Sequence, residues 1–190
     1  MLFLLVWFSV YWRYWGLANF LHLCDVAVIL TCVGLWTNSV LLLSSQAVAS
    51  LVIDLAWLAD ASWTIVTRHH LIGGTEYLFD AQYPLWVRLL SLFHLALPVV
   101  LLYSLRRAGY DRRGWTLQCA ITLFLYSASR FTDPEKNIGF AFVDPFFHHS
   151  WKPAALHVAL TVLFLSVVVF LPTHLVLRRL FPPPEADESA

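Results

Sequence analysis

Long apolar stretches alternate with short polar segments along the whole chain, which predicts helices rather than strands. Because a helix rises about 1.5 Å per residue, about 20 apolar residues are needed to cross a hydrocarbon core about 30 Å thick. The apolar stretches cover residues 1–15, 16–36, 40–66, 85–105, 115–129 and 153–177. The first is short and is interrupted by Arg13, so it is either a marginal span or an interfacial helix. The pattern predicts an all-α fold, a polytopic transmembrane helical bundle with six or five membrane-crossing helices.

The distribution of basic residues predicts the orientation of this bundle. Residues 106–113 form the most basic loop, and Arg178 and Arg179 follow the last apolar stretch. Lys and Arg concentrate in cytoplasmic loops, so we expect both clusters on the cytoplasmic side. An even number of crossings separates them, which makes the two assignments consistent and puts loops 68–84 and 131–152 outside. We therefore expect a multi-pass membrane protein with a cytoplasmic C-terminus.

The composition agrees with a membrane location and argues against other classes of protein. Hydrophobic residues make up 59% of the 190 residues and charged residues 13%, whereas a globular domain has about 25% charged residues. Twelve basic and twelve acidic side chains cancel, so the predicted partners are membrane lipids and no nucleic acid. We divide the chain into one transmembrane domain, residues 1–181, and a Pro-rich acidic tail, residues 182–190, whose composition predicts disorder.

Several polar side chains lie inside the apolar stretches, and their spacing predicts which of them share a helix face. The three stripes are Asn19, His22 and Asp25 in the second stretch, Gln46, Ser50 and Asp54 in the third, and Arg88, Ser91 and His94 in the fourth. Counting from the outer ends puts Cys24, Asp54 and His94 about 13 to 17 Å deep, near the midplane. Ionisable groups are costly at this depth and usually face the bundle interior. We predict a cluster of Asp25, Asp54, His94 and Cys24.

The same residues also have structural explanations, which the sequence leaves open. Cys24 can be a small buried hydrophobic residue, as can Cys32 and Cys119. His22 can simply form a hydrogen bond with Asp25. The histidines expected to be solvated near the interfaces are His69, His70, His148 and His149. No metal site is predicted from them, and no cofactor is predicted, because the depths of the remaining histidines do not pair as haem ligands.

Three short motifs resemble those of a known family. They are Leu21-His22-Leu23-Cys24-Asp25, Phe93-His94, and Asn137-Ile138-Gly139-Phe140 in the outer loop. In order and spacing they are similar to the YwaF-like bacterial integral membrane proteins and their eukaryotic ether-phospholipid acyltransferase relatives, and more distantly to the androgen-induced-gene type lipid hydrolases. The resemblance implies a six-helix bundle in a bacterial inner membrane.

The resemblance also implies roles for individual residues. Cys24 would be the acyl-accepting nucleophile and His94 its base, which is sound chemistry for attack on a lipid ester. Asp25 and Asp54 would orient His94 or tune the thiol. The candidate substrate-binding side chains are His22, Asn19, Arg88, Ser91 and Asn137.

Three functions are compatible with these features. The first is an intramembrane lipid acyltransferase or ester hydrolase that uses the Cys24 and His94 pair. The second is a non-catalytic structural or assembly subunit, whose partners would be other subunits of a larger membrane protein complex. The third is a proton-coupled carrier, indicated by Asp25, Asp54, Asp60 and His94. The sequence leaves open whether the chain is an enzyme.

Overall fold

Helices make up the architecture of the protein in a computed structural model that describes residues 2–182. Six long helices, named α1 to α6 here, follow one another in this part of the chain, and no strand occurs among these residues. They are α1 (Leu2–Trp15), α2 (Leu23–Thr37), α3 (Val40–Thr67), α4 (Leu85–Ala108), α5 (Gly114–Ser129) and α6 (Ala154–Leu180). The all-α prediction is confirmed. Residues 183–190, most of the predicted tail, lie outside the described residues.

Three of the described helices are long and apolar enough to cross a membrane, namely α3 with 28 residues, α4 with 24 and α6 with 27. Helix α2 is apolar but has 15 residues, and α1 and α5 have 14 and 16. The shorter helices are about 21 to 24 Å long, which is less than a hydrocarbon core of about 30 Å. Helix length therefore does not support the predicted five or six crossings. The protein is a helical protein with three helices of membrane-spanning length.

The predicted helix over residues 16–36 is interrupted, which corrects the sequence interpretation. Gly16 has a positive φ of 82°, a conformation that favours glycine. A 3-10 helix, Leu17–Leu21, follows, and His22 is extended at φ −66° and ψ 138°. Helix α2 therefore begins only at Leu23, and Asp25 lies in its first turn. The helix dipole favours a negative charge at that position.

Helix α3 is the central element and packs against α2, α4, α5 and α6. Its N-terminus is capped by Ser39, whose hydroxyl accepts a hydrogen bond from the Leu42 amide at 3.4 Å. Small residues on the buried face of α3, such as Ala47 and Ala49, allow neighbouring helices to approach closely. This position gives the polar residues of α3 contacts with several helices at once.

Helix α1 covers one side of the bundle through aromatic packing. Trp7 is fully buried, and its ring centroid lies 5.5 Å from that of Phe20 and 5.8 Å from that of Phe93. Tyr11 packs beside Trp7 with centroids 4.7 Å apart. Edge-on and offset aromatic pairs of this kind add to the burial of apolar surface. They hold α1 against the 3-10 helix that precedes α2 and against α4.

Two of the long helices have irregular segments. Helix α4 changes to a 3-10 turn at Leu90–Leu92 before the α-helix resumes at Phe93. Helix α6 contains a π-helical segment, Leu165–Phe170, in which the Ser166 carbonyl accepts a hydrogen bond from the Trp115 indole at 3.2 Å. Such irregularities are common at functional sites.

The loop between α4 and α5 is fixed to both α3 and α6. The Asp111 amide donates a 2.9 Å hydrogen bond to the Ser44 hydroxyl. The Tyr110 hydroxyl lies 2.7 Å from Nδ1 of His174, and the Tyr110 amide donates to the Phe181 carbonyl at 2.9 Å. The basic loop therefore has a defined position at one end of the bundle, which we call the basic end.

Candidate functional site

Asp54 and His94, two of the predicted site residues, meet in the interior of the bundle. Asp54 lies near the middle of α3 and is 1% exposed, and His94 lies on α4 and is 4% exposed. Oδ1 of Asp54 and Nε2 of His94 are 4.0 Å apart. An acid and an imidazole therefore face each other on two helices of membrane-spanning length.

The backbone of α4 determines the tautomer of His94. Nδ1 of His94 is 2.7 Å from the carbonyl oxygen of Ser91. Because a carbonyl oxygen can only accept, Nδ1 must carry the hydrogen. In the neutral ring Nε2 then has a free lone pair, and this atom is the one that faces Asp54.

Aromatic side chains fix the plane of the His94 ring. Trp57 stacks on it with centroids 4.4 Å apart and planes 5° apart, and Phe93 stacks at 4.1 Å. The Trp57 indole in turn donates a 3.0 Å hydrogen bond to the Tyr77 hydroxyl. Burial raises the pKa of Tyr77, so this hydroxyl stays protonated. The imidazole cannot turn away from Asp54 without displacing these rings.

The carboxyl group of Asp54 lacks hydrogen-bond partners. Both of its oxygens are buried, and neither accepts a hydrogen bond from any residue in the described range. An ionised carboxylate in such surroundings costs several kcal/mol. Asp54 must therefore bind a proton, or pair with a cation or a protonated imidazole.

Asp25, Asn19 and Cys24 form a neighbouring group at the start of α2. The Asn19 side-chain amide donates a 2.6 Å hydrogen bond to Oδ2 of the buried Asp25. The Cys24 sulfur lies 4.0 Å from the other oxygen, Oδ1. His22 was predicted to share a helical face with Asn19 and Asp25, but its extended backbone breaks that stripe. Asn19 and Asp25 meet through the break rather than through helical periodicity.

The thiol of Cys24 and the ring of His94 do not form a hydrogen bond within residues 2–182. The Cys24 sulfur instead contacts the carboxyl group of Asp25, at 4.0 Å from its Oδ1. A carboxylate beside a sulfur would oppose formation of the thiolate. The geometry favours an acid–imidazole pair over a thiol–imidazole pair.

Two candidate binding residues, Arg88 and Ser91, lie in the first half of α4. Arg88 donates from Nη1 to the Leu78 carbonyl at 3.0 Å, which ties α4 to the short helix Glu76–Phe79. Its Nε is buried and has no partner among the described residues. The Ser91 hydroxyl donates to the Arg88 carbonyl. Ser91 thus acts on the site through its backbone carbonyl, which positions His94.

Asn137, the remaining candidate binding residue, organises the loop between α5 and α6. It adopts a left-handed conformation with φ 42°. Its side-chain oxygen accepts from the amides of Phe142 and Val143 at 2.9 and 3.1 Å, and its nitrogen donates to the Val143 carbonyl at 2.8 Å. Its contacts are thus with the backbone of its own loop.

Asp60 has a more elaborate set of partners than the sequence indicated. This residue is 1% exposed, and its Oδ1 accepts hydrogen bonds from the amides of Leu71, Ile72 and Gly73 at 2.7, 2.6 and 3.1 Å. Its Oδ2 accepts from the Thr75 hydroxyl and lies 3.1 Å from Nδ1 of His70. Asp60 therefore holds the loop after α3. Two sequence features could have indicated this role: an acidic residue near the end of a predicted helix and the Gly73-Gly74 turn that follows it.

A row of buried polar side chains connects α3 to α5. The sequence indicated only the part of this row that lies on α3. Nε2 of Gln46 is 3.4 Å from Oε1 of Gln118, and Gln118 donates to the Thr122 hydroxyl at 3.3 Å. All three side chains are buried. Oε1 of Gln46 and Oγ of Ser50 have no partner in the described part of the chain. Gln118 was missed because it stands alone in an apolar stretch.

Neither a metal site in the described residues nor a similarity to known proteins adds information about the function of this site. Among the described residues, no three His, Cys, Asp or Glu side chains are grouped as a metal site. No family model matches the chain, and no curated protein or solved structure is significantly similar to it. The functional argument therefore depends on the geometry of the site.

Proposed function

We propose that this protein is a proton-coupled membrane carrier in which Asp54 and His94 hold one proton between them. The observation that supports this proposal is the fixed tautomer of His94. Its Nδ1–H is committed to the Ser91 carbonyl at 2.7 Å, so its Nε2 lone pair faces an otherwise unpartnered Asp54 at 4.0 Å. One proton satisfies both groups, as a carboxylic acid beside a neutral imidazole or as a carboxylate beside an imidazolium.

Loss of that proton creates the state that drives the conformational change of the carrier. Without it, Asp54 is an ionised carboxylate beside a neutral ring, in a site whose described residues offer it no donor. Such a charge is stable only if water, a cation or another donor reaches it. Proton release is thereby coupled to opening of the site, and proton uptake to its closing. A ligand that binds only one of the two states would be carried with the proton.

Irregular backbone next to the site supports a carrier. The 3-10 turn Leu90–Leu92 directly precedes His94, and the break at His22 directly precedes the turn that contains Asp25. Non-helical backbone at membrane depth is tolerated where it is buried in protein or lines a cavity, and interrupted helices form the binding sites of many transporters. One interruption lies beside His94 and the other beside Asp25.

The stripe on α3 extends the polar environment of Asp54 towards the basic end. Gln46, Ser50 and Asp54 are spaced at i, i+4 and i+8 and are all buried. Each has at least one side-chain oxygen without a partner in residues 2–182. Buried polar atoms normally have partners, so this row is suited to transient contact with water or a carried ligand.

Proton movement by reconstituted protein tests the proposal. The protein is placed in liposomes that contain a pH-sensitive dye, and a membrane potential is applied with valinomycin and potassium. We expect Asp54→Asn to lower the initial rate of proton entry by about tenfold or more, because an amide cannot bind the proton. Asp133→Asn is the matched control, since this exposed residue loses the same charge and Asn remains a good N-cap.

Unchanged proton entry in Asp54→Asn, or an equal decrease in both variants, would exclude the proposal. Infrared spectroscopy gives a second readout that does not depend on transport. The carbonyl band of a buried carboxylic acid should shift in deuterium oxide and disappear in Asp54→Asn. Persistence of the complete band in that variant would place the proton elsewhere.

A lipid acyltransferase or ester hydrolase is the second candidate function, and the position of Cys24 supports it. This thiol adjoins the buried Asp25, with its sulfur 4.0 Å from Oδ1. For catalysis the sulfur would have to approach Nε2 of His94 and transfer its proton to that atom. If so, Cys24→Ser should abolish release of fatty acid from phospholipid vesicles, while Cys119→Ser, which makes the same change at another half-buried cysteine, should not.

The complete topology is part of the same proposal. We propose that α1, α2 and α5 lie in the membrane beside the three longer helices, with the C-terminus in the cytoplasm of a bacterium. The positive-inside rule and the short length of the connections support this arrangement. Labelling of single cysteines at Arg112 and at Glu135 with an impermeant reagent should occur from opposite sides of the membrane.

A further inference from the structure

A groove at the basic end of the bundle has a chemistry that differs from that of the Asp54 site. It lies between the end of α2, the start of α3 and the second half of α4, and has a volume of about 450 Å³. This volume falls within the range of about 300 to 1,000 Å³ that is common for ligand sites. Its walls include Leu35, Val40, Leu43, Val99 and Val100. The long walls of the groove are thus apolar.

A second cavity continues the groove towards the basic loop. This cavity of about 380 Å³ shares Val40 and Ala108 with the first and reaches Asp111 and Arg112. The two cavities therefore form an elongated site that is apolar at one end and charged at the other.

The end of α4 and the following loop are rich in arginine, at positions 106, 107, 112 and 113. Two of these residues, Arg107 and Arg112, line the cavities. Arg113 pairs with Asp111 at 2.7 Å. Within residues 2–182, no carboxylate pairs with the other three. The site thus has a net positive charge that an anion would complement.

Arg107 is held in place at the mouth of the groove. Its Nε and Nη2 donate to the Tyr103 hydroxyl at 3.1 and 2.8 Å, and its guanidinium lies 5.3 Å from the centroid of the Tyr103 ring. Its Nη1 has no hydrogen-bond partner among the residues that the structure describes. A guanidinium with two donors already committed loses less conformational entropy when the remaining donor binds an anion.

We propose that this groove binds an anionic phospholipid, with the phosphate on Arg107 and Arg112 and an acyl chain between α2 and α4. Basic pockets between membrane helices are suited to acidic headgroups. The apolar walls distinguish a lipid from a free phosphate, because only a lipid has a chain to fill them. The groove is lined by residues of α4 that follow His94 in the sequence, and neither His94 nor Asp54 lines either cavity, so the site is separate from the proposed proton pair.

The test measures binding of phosphatidylglycerol by native mass spectrometry of the full-length protein, with phosphatidylcholine and glycerol phosphate as comparison ligands. We expect phosphatidylglycerol to bind at least about tenfold more tightly than either of the others. Arg107→Gln should weaken its binding by about tenfold. Arg106→Gln is the matched control, because this neighbour has the same charge but does not line either cavity; it should change binding by less than about twofold.

Val100→Phe provides a second test that keeps every arginine. A phenyl ring at this partly exposed wall position fills the groove, so phosphatidylglycerol binding should fall while binding of glycerol phosphate should not. Equal effects of the two arginine substitutions would reveal only a diffuse basic surface and overturn the proposal. Glycerol phosphate binding as tightly as the lipid would also overturn it. Lipid binding that appears only after Glu185, Asp187 and Glu188 are changed to amides would identify the chain's own tail as the occupant.

Discussion

The side-chain amide of Asn19 donates a 2.6 Å hydrogen bond to Asp25 across the interruption between the 3-10 helix and α2. This contact gives the buried carboxyl group a donor from another segment and fixes the angle at which the chain enters α2. Asp25 thus differs from Asp54, whose oxygens have no such donor among the described residues. This difference supports a structural role for Asp25, whereas the proposed carrier mechanism places the labile proton on Asp54.

Asn19→Ala should therefore destabilise the protein. Removal of the donor leaves a buried carboxyl oxygen unsatisfied, which costs about 1 to 3 kcal/mol. The measurement is the free energy of unfolding in mixed micelles. The same substitution in an Asp25→Leu background should cost less than half as much, because the acceptor is already absent. Additive effects of the two changes would contradict the proposed coupling.

Gly114→Ala should destabilise the contact between α5 and α3. A Cβ atom at position 114 would lie 2.8 Å from Cβ of Ser44 and 2.9 Å from its carbonyl carbon. Relief of this overlap requires the helices to separate, at a cost of about 1 to 3 kcal/mol. Thr116→Ala, at an exposed position of the same helix, is the control and should be neutral or slightly stabilising. The comparison is made by thermal unfolding, and equal melting temperatures for the two variants would refute the close approach.

Asp60→Asn should loosen the loop after α3 without unfolding the helices. The carboxylate accepts hydrogen bonds from three consecutive amides, those of Leu71, Ile72 and Gly73. Charge-assisted hydrogen bonds are about twice as strong as neutral ones, so hydrogen exchange at these amides should accelerate by about tenfold or more. Asp80→Asn is the control, since Asp80 accepts one backbone hydrogen bond, from Gln82. Similar exchange in both variants would mean that the charge of Asp60 does not hold the loop.

Asp144 should make the outer loop between α5 and α6 sensitive to acid. Desolvation, the largest influence, raises the pKa of this carboxyl group, but hydrogen bonds from the amides of Phe147, His149 and Phe146 together lower it below its ordinary value. Because the folded-state pKa is depressed, the stabilisation is complete above the unfolded pKa of about 3.9 and is lost as the pH falls through the folded value. Protection factors of these amides should be constant from neutral pH to about pH 4 and fall below it. In Asp144→Asn they should be low and independent of pH, and an unchanged acid transition in that variant would contradict the assignment.

The sequence predicted the helices and the common level of Asp54 and His94 better than it predicted helix continuity. Depth counting placed Asp54 and His94 at one level, and the structure places them 4.0 Å apart. The break at His22 was not predictable from hydropathy, because the residues around it are apolar. The length of the shorter helices was overestimated for the same reason, since an apolar stretch includes residues that form turns and caps.

Contacts between distant segments were the least predictable features. Gln118 lies 72 positions from Gln46, and helical spacing gives no information on such a pair. The tautomer of His94 depends on a backbone carbonyl that the 3-10 turn presents. Asn137 stood out in the sequence through the family resemblance, yet its contacts are explained by the left-handed turn it forms.

His94→Phe should separate the function of the site from its packing. Phenylalanine preserves the stacking on Trp57 and Phe93 but lacks both nitrogens, so Asp54 can hold a proton without passing it to a neighbour. We expect the melting temperature to change little and proton entry into liposomes to fall by about tenfold or more. The double variant with Asp54→Asn should be no slower than Asp54→Asn alone, since the two groups act as one unit. Independent, multiplicative losses would show that Asp54 and His94 do not share a proton.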